Sequence, residues 1–378
     1  MALISAETLV LDGQIGRPGW LETSGERIVA CGTGSPPRPV DGDFPDCIVV
    51  PGFIDMHVHG GGGASYTDAS YTNAAIAEAA GFHLLHGTTT TLASLVTTSP
   101  TELIAGVGAL AAATRRGDIA GIHLEGPWLS RARCGAHDPT QMREPDPAEI
   151  DAVLVAGGGA IRMVTLAPEL PGTDEAIRRF VEAGVVVAVG HTDATYEQTR
   201  RAIAAGVTVA THLFNAMPPL HHREPGPALA LLQDPNVTVE IIVDGVHLHP
   251  FVVHAVVQAV GPDRVALVTD AISAAGCGDG VFRLGAVPIV VASGVARVRG
   301  TSTIAGSTAT MDRLFRSVAP EAGLAAAVEM TSTTPARTLG LERVGSLRAG
   351  YAADLVVLDR DFQVCAVMVR GDWVATDG

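Results

Sequence analysis

Residues 47–63 read CIVVPGFIDMHVHGGGG. A β-branched, apolar run leads into two histidines one residue apart, His57 and His59, and then into four glycines. Side chains alternate along a strand, so residues i and i+2 face the same way. The two imidazoles therefore project together where the strand gives way to a glycine loop. Neutral imidazoles so placed make the first half of a metal site, or they are two polar residues each satisfied by a hydrogen bond. The rest of the chain has to decide between these.

The same grammar recurs seven more times: a short β-branched run, a polar cluster, then an alanine-rich amphipathic stretch. The further runs are GTTTTLASL, IAGIHLEGP, IRMVTLAPE, GVVVAVGHTD, VTVATHLFNAM, TVEIIVDGVHL and RVALVTDA. Stretches such as NAAIAEAAGFHLLH and DEAIRRFVEAG lie between them and read as helices. Eight βα units predict a (β/α)8 barrel. A doubly wound open sheet is the alternative, but no glycine-rich dinucleotide fingerprint follows the first strand. The two ends read differently, as short strands separated by turn signals (ETLVLDG, ERIVACG, ADLVVLDR, VCAVMVRGDWV). The expected organisation is a barrel over 51–342, and a small β-sandwich assembled from 1–50 and 343–378. Residues 280–300 read as hairpins inserted after the eighth barrel strand.

Composition narrows the chemistry. The chain has 378 residues, 47% hydrophobic and 17% charged, ample for a large core. No charge-free apolar run reaches the roughly 18 residues a membrane span needs. The start, MALISAETLVLDG, lacks a basic leader region, and the five scattered cysteines do not form a disulfide framework. The expected home is the cytoplasm. A net charge of −15 argues against nucleic acid as the main partner. An anionic substrate would need its own local cationic pocket. All 25 basic residues are arginine. Schiff-base, P-loop and PLP lysines are thereby excluded, as is a carboxylated lysine bridging two metals.

In a barrel, residues at the C-terminal ends of the strands face one pocket. Here that set is His57 and His59 from the first run, Glu125 from the third, His191 from the fifth, His212 from the sixth and Asp270 from the eighth. Each alone has a bland explanation. Four histidines and two carboxylates on one rim, without a metal, would be costly to bury. Nitrogen and oxygen ligands without cysteine suit Zn²⁺, or else Fe²⁺ or Mn²⁺. With lysine absent, Glu125 is the candidate bridge between two ions, one with His57 and His59, the other with His191 and His212. Asp270 is the candidate general base, then the acid for a leaving amine.

PGFIDMHVHG, the later single histidines, the TDA aspartate and the closing GSLRAGYAADLVVLD resemble the amidohydrolase superfamily. More narrowly, HLEGPWL, GHTDATYEQ, THLFNAMPPLHHREPG, DGVHLHP and VTDAISAAG resemble its N-acetylglucosamine-6-phosphate deacetylase family, over essentially the whole chain. The resemblance implies a barrel with a small β-sandwich, a homodimer, and metal-dependent removal of the N-acetyl group from a phosphorylated amino sugar. It implies that Glu125, His191 and His212 hold the metal common to the group. One or two ions per chain follow, because His57 and His59 are present and some members lack that pair. Asp270 matches the catalytic aspartate, which also stands among the candidate metal ligands. His137 in CGAHDP matches a residue near the acetyl carbonyl, and Asn215 with the Ala216 backbone matches phosphate contacts. Arg223 and His247 match residues near the phosphate, some of which come from a partner subunit. Ile304, Ala305 and Gly306 in STIAGS match a substrate loop.

Read from the residues alone, Arg223 is a loop charge, although arginine suits bidentate phosphate recognition. His221 and His222 stay undecided. Cys134, in SRARCGAHDP, is not required by the resemblance. It is an incidental loop cysteine or an active-site loop thiol activated by Arg131 and Arg133. His123 reads as a core histidine or as one standing behind the ligands. Competing readings are a deacetylase for the galacto epimer, a dihydroorotase or dipeptidase-like enzyme, and an inactive sugar-phosphate sensor. The missing lysine counts against the dihydroorotase type, and the complete ligand set against the sensor.

Overall fold

All eight runs form strands, and they pair in parallel. The computed structural model describes residues 1–67 and 72–375. The strands are β1 (Phe53–Val58), β2 (Thr88–Leu95), β3 (Gly121–Glu125), β4 (Ile161–Leu166), β5 (Val186–Val189), β6 (Val207–Ala210), β7 (Thr238–Ile241) and β8 (Val265–Leu267). Their order in the sheet is their order in the chain. Every residue of β1 and β3 is buried. A parallel sheet covered on both faces demands this, and it explains why these two strands show no alternation of buried and exposed residues.

The helices between them begin and end where local chemistry directs. Ser99 caps Pro100–Arg116 in a reciprocal box with Glu102, and Gly117 in the left-handed region ends it. Thr195 and Gln198 form the same box at Tyr196–Ala205. No described helix is long and apolar enough to cross a membrane. β1 and β8 share no ladder. Three backbone bonds stitch that seam instead: Asp270 N–H to the His57 carbonyl (2.9 Å), and the N–H groups of His59 (2.8 Å) and Gly60 (3.1 Å) to the Ala271 carbonyl.

The chain ends build the small β-sandwich from one mixed sheet: Ala2–Leu11, Gln14–Gly16, Gly19–Ser24, Arg27–Thr33, Gly42–Pro51, Leu355–Leu358, Val364–Val369 and Asp372–Trp373. In Ala2–Leu11 the ladder shifts register between Ala6 and Thr8. The core-facing residues change parity at that point, from Ile4 and Ala6 to Leu9. A bulge thus lets one long strand serve one core on both sides of the shift. The expected hairpins after the barrel form a three-stranded sheet, Gly280–Leu284, Val287–Ala292 and Val295–Val298.

The compact units do not follow the expected boundaries at 50/51 and 342/343. One unit takes 1–55, 83–90 and 310–378, the other 56–82 and 91–309. The helix Met311–Ala322 belongs with the first because its Phe315 packs on Phe53, ring centroids 5.2 Å apart. Residues 376–378 of the expected terminal segment lie outside the described residues.

Candidate active site

Glu125 sits at the end of β3, 2% exposed, and each of its oxygens faces a different set of imidazoles. Oε1 lies 3.1 Å from both His191 Nε2 and His212 Nε2, and 3.5 Å from His57 Nε2. Oε2 lies 3.1 Å from His59 Nε2 and 3.2 Å from His137 Nε2. Asp270 Oδ1 completes the ring at 3.1 Å from His59 Nε2 and 3.6 Å from His57 Nε2. Two groups of potential ligand atoms result: His57, His59 and Asp270; and Glu125, His191 and His212.

The far side of each imidazole shows why these groups suit a cation. His57 Nδ1 is 3.1 Å from Glu240 Oε2, His59 Nδ1 is 3.2 Å from the Ser94 carbonyl, and His191 Nδ1 is 2.9 Å from the Arg133 carbonyl. Each partner is an acceptor, so each Nδ1 carries a proton and donates it. Each Nε2 is left facing the carboxylates, to carry a proton or to ligate a cation. His191 Nε2 and His212 Nε2 approach to 3.1 Å. Facing lone pairs at that distance repel unless a cation or a proton lies between them. These residues therefore fit a divalent ion in either group.

Charge balance agrees. Burial opposes charge on His57, but Glu125, Glu240 and Asp270 outweigh it and hold its pKa well above the ordinary value. His59 is likewise raised to about 9, its burial overcome by Asp270 and Glu125. Burial would lift Glu125, yet His57 and His137 keep it well below the usual carboxylate range. Burial would lift Asp270 too, and His57 and His59 push it down. In the ion-free protein, protons supply the positive charge that these carboxylates require.

His137 differs from the rest. Its Nδ1 accepts from the Thr97 backbone N–H (3.2 Å), with the Thr97 hydroxyl at 3.0 Å, so in the neutral ring Nε2 carries the proton. Burial, opposed by Glu125, lowers its pKa to about 4 and keeps the ring neutral near pH 7.

The backbone is strained where the loops leave the strands. His191 (φ 47°), His212 (φ 26°), Phe214 (φ 76°), Ala216 (φ 52°) and Asp270 (φ 47°) are all non-glycine residues in the left-handed region. Such conformations persist where surrounding bonds over-determine them, and they cluster at functional sites. Gly135 supplies the opposite device. Its φ of 55° is left-handed, and a Cβ there would sit a tight 3.0 Å from His191 Cε1, so glycine suits the covering loop's approach to that ring.

A pocket of about 340 Å³ opens over this cluster. Of the residues expected at the site, His59, Glu125, His137, His191, His212, Asn215, Ala216, His247, Asp270, Ile304 and Gly306 line it. His57 is fully buried beside the ring. Ala305 is buried in the apolar cluster with Val96, Ile272 and Ile289, so its side chain is not on the wall. Arg223 is not on the wall either. It sits exposed on its loop, Nη1 2.6 Å from His222 Nε2. Cys134 lies off the wall, between Arg133 and the wall residue Gly135. The arginines expected to activate it are engaged elsewhere, Arg131 with the Met142 carbonyl and Arg133 with Asp193. His123 is a core histidine, held by Ser94 Oγ (2.9 Å) and Thr165 Oγ1 (2.8 Å).

Sequence reasoning missed Glu240 and Leu284, and it did not single out Gly135 and Ala136 within CGAHDP or Ser302 and Thr303 within STIAGS, all four on the wall with Leu284. Glu240 left a signal of its own, a lone carboxylate inside the apolar run TVEIIV.

The amidohydrolase family profile matches residues 48–374. A Mycobacterium smegmatis N-acetyl-D-glucosamine-6-phosphate deacetylase, solved as an aspartate-to-alanine mutant in complex with N-acetyl-D-glucosamine-6-phosphate, is 53% identical, with a TM-score of 0.97 over 99% of both chains. The Bos taurus N-acetylglucosamine-6-phosphate deacetylase is 37% identical over 88% of this chain and 84% of its own length. An Escherichia coli O157:H7 N-acetylgalactosamine-6-phosphate deacetylase is 34% identical over 93% of this chain and 95% of its own. With the profile spanning most of the chain and the barrel, small sheet and histidine ring in place, the chain belongs to the amidohydrolase family.

Proposed function

We infer that the chain hydrolyses the N-acetyl group of N-acetyl-D-glucosamine 6-phosphate, giving D-glucosamine 6-phosphate and acetate. The observation that carries this is the 53% identity and 0.97 TM-score, over 99% of both chains, to a deacetylase that holds this sugar phosphate. The reaction class follows from the family, whose chemistry is metal-dependent hydrolysis.

Two divalent ions would be held, one by His57, His59 and Asp270 and the other by Glu125, His191 and His212. Imidazole and carboxylate donors without thiolate favour Zn²⁺, with Fe²⁺ and Mn²⁺ as the alternatives. Bound there, a divalent ion would supply Lewis acidity for the carbonyl and for the attacking water near neutral pH. Asp270, kept ionised, takes the proton of the attacking water and returns it to the departing amine. His137 Nε2–H is the donor assigned to the acetyl carbonyl oxygen. Asn215 and the Ala216 backbone, both on the wall, are assigned to the phosphate.

The pocket wall carries no arginine or lysine among the described residues. His247 is its candidate cation, and Arg223 is assigned to the phosphate of the partner subunit in a homodimer. Cytoplasmic residence is the further expectation of such an enzyme.

Acetate release from N-acetylglucosamine 6-phosphate, its galacto epimer and unphosphorylated N-acetylglucosamine, with ions per chain measured on the same preparation, tests the reading. The phosphorylated gluco sugar is expected to turn over fastest. Equal use of the unphosphorylated sugar overturns the phosphate assignment. Preference for the galacto epimer would instead favour the second reading, which the 34% identical galacto-specific relative keeps open.

A further inference from the structure

One carboxylate interrupts β7. Glu240 stands in VTVEIIV, 0% exposed, with apolar neighbours on both sides along the strand. A buried carboxylate is costly unless its partners compensate. Here one oxygen has two partners. Oε2 accepts from His57 Nδ1–H at 3.1 Å and from the backbone N–H of His212 at 3.2 Å. The main-chain carbonyl of the same residue accepts from Leu213 N–H at 2.8 Å. Oε1 is buried with no hydrogen-bond partner among the described residues.

These contacts reach both ligand groups. His57 belongs with His59 and Asp270, His212 with Glu125 and His191. On His57 the carboxylate accepts the Nδ1 proton in a hydrogen bond, so that Nε2 is the nitrogen left to ligate a cation. At His212 it pins a strained residue (φ 26°) from one side, while its own carbonyl pins the next residue. A carboxylate behind a ligand imidazole also makes that ligand more basic. Neither effect requires Glu240 to touch substrate.

We propose that Glu240 is a positioning residue that holds His57 and the His212 backbone in ligand geometry, and so couples the two metal groups through one buried carboxylate. The proposal rests on the two-ion reading above.

The test is titration of metal-free protein with Zn²⁺ against a chromophoric chelator, giving ions per chain and the dissociation constant of each. Wild type, Glu240→Gln and Glu240→Ala are compared, with the melting temperature of each metal-free form. Glu240→Gln keeps the shape and an acceptor oxygen but removes the charge. The ion at His57 and His59 is expected to bind about 10-fold more weakly in Glu240→Gln and on the order of 100-fold more weakly in Glu240→Ala. The ion at Glu125, His191 and His212 should weaken less, because the Leu213 contact uses the Glu240 backbone and survives both changes. If Glu240→Ala does not fold, the Gln variant decides. Two ions bound by Glu240→Gln as tightly as by wild type, with only the melting temperature lowered, would mean a merely structural carboxylate and overturns the proposal. A single ion in wild type overturns the two-ion reading, and the coupling with it.

Discussion

At Asp270 the chain pauses in the left-handed region (φ 47°), held by its N–H on the His57 carbonyl and its carbonyl on Ser307 N–H (2.7 Å). A non-glycine residue so placed costs about 1–3 kcal/mol. The return is a carboxylate aimed at His59 (3.1 Å) rather than along the strand. Asp270→Asn preserves size and removes the base. Its kcat is expected to fall at least ~100-fold, the usual scale for a lost general acid–base, with the ion at Glu125, His191 and His212 still bound. Steady-state kinetics and metal content on one preparation check this. A near-normal kcat would move the proton transfer to His137. At this scale the sequence was most legible where polarity interrupts an apolar run at its end, as at His57, Glu125, His191, His212 and Asp270. Glu240 interrupts its run in the middle, where a charged residue reads as strand interior. Ser302 and Thr303 lie in a loop, where no periodicity tells wall from surface.

Among elements, the loop after β7 carries its own charge device. His247 Nδ1 lies 2.9 Å from Asp244 Oδ2, and the same carboxylate accepts the N–H groups of Val246 and His247 at 2.9 Å each. Burial opposes the charged imidazole, but Asp244 outweighs it and raises the pKa above 6.5. A raised folded-state pKa means that the pair's contribution to stability is complete below pH 6.5 and fades as pH rises through the folded value. Affinity for the phosphorylated sugar is expected to follow, with KM rising over the same window. In Asp244→Asn the rise should begin at lower pH. KM profiles of both forms on one substrate check it, since the sugar phosphate's own titration cancels in the ratio. An unmoved profile would mean that His247 is not the cation. The barrel strands were legible as elements because they are short, mostly buried β-branched runs set between alanine-rich helices. The unit boundary was not. Met311–Ala322 has the amphipathic pattern of any barrel helix, and nothing local to it announces that Phe315 will meet Phe53.

For the molecule as a whole, the open question is how a chain of net charge −15 takes an anionic substrate. The described wall of its pocket lacks arginine, while Arg223 stands exposed on its own loop. If a partner copy supplies that arginine, each inactive variant retains the part the other lacks. Asp270→Asn and Arg223→Ala, mixed in equal amounts and allowed to exchange subunits, should then form mixed dimers with one complete site. Random pairing in a two-fold dimer restores about a quarter of wild-type activity at substrate levels near the wild-type KM. Activity no higher than the sum of the separate variants would place Arg223 in its own chain's site or in none.

The stitched seam between β1 and β8 gives the metal a second consequence. His57 and His59 stand on one edge of that seam and Asp270 on the other. Any ion bound among them is a clasp on the hoop, closing by coordination what the ladder leaves to three hydrogen bonds. Its free energy of binding adds directly to the work of prising those edges apart. Amide hydrogens at His59, Gly60 and Asp270 should therefore exchange with deuterium faster in chelated protein, while those inside β4 and β5, with neighbours laddered on both sides, keep their protection. Hydrogen exchange followed by mass spectrometry, with and without Zn²⁺, reads this directly. Equal exchange at the seam in both states would show that the hoop holds without its clasp.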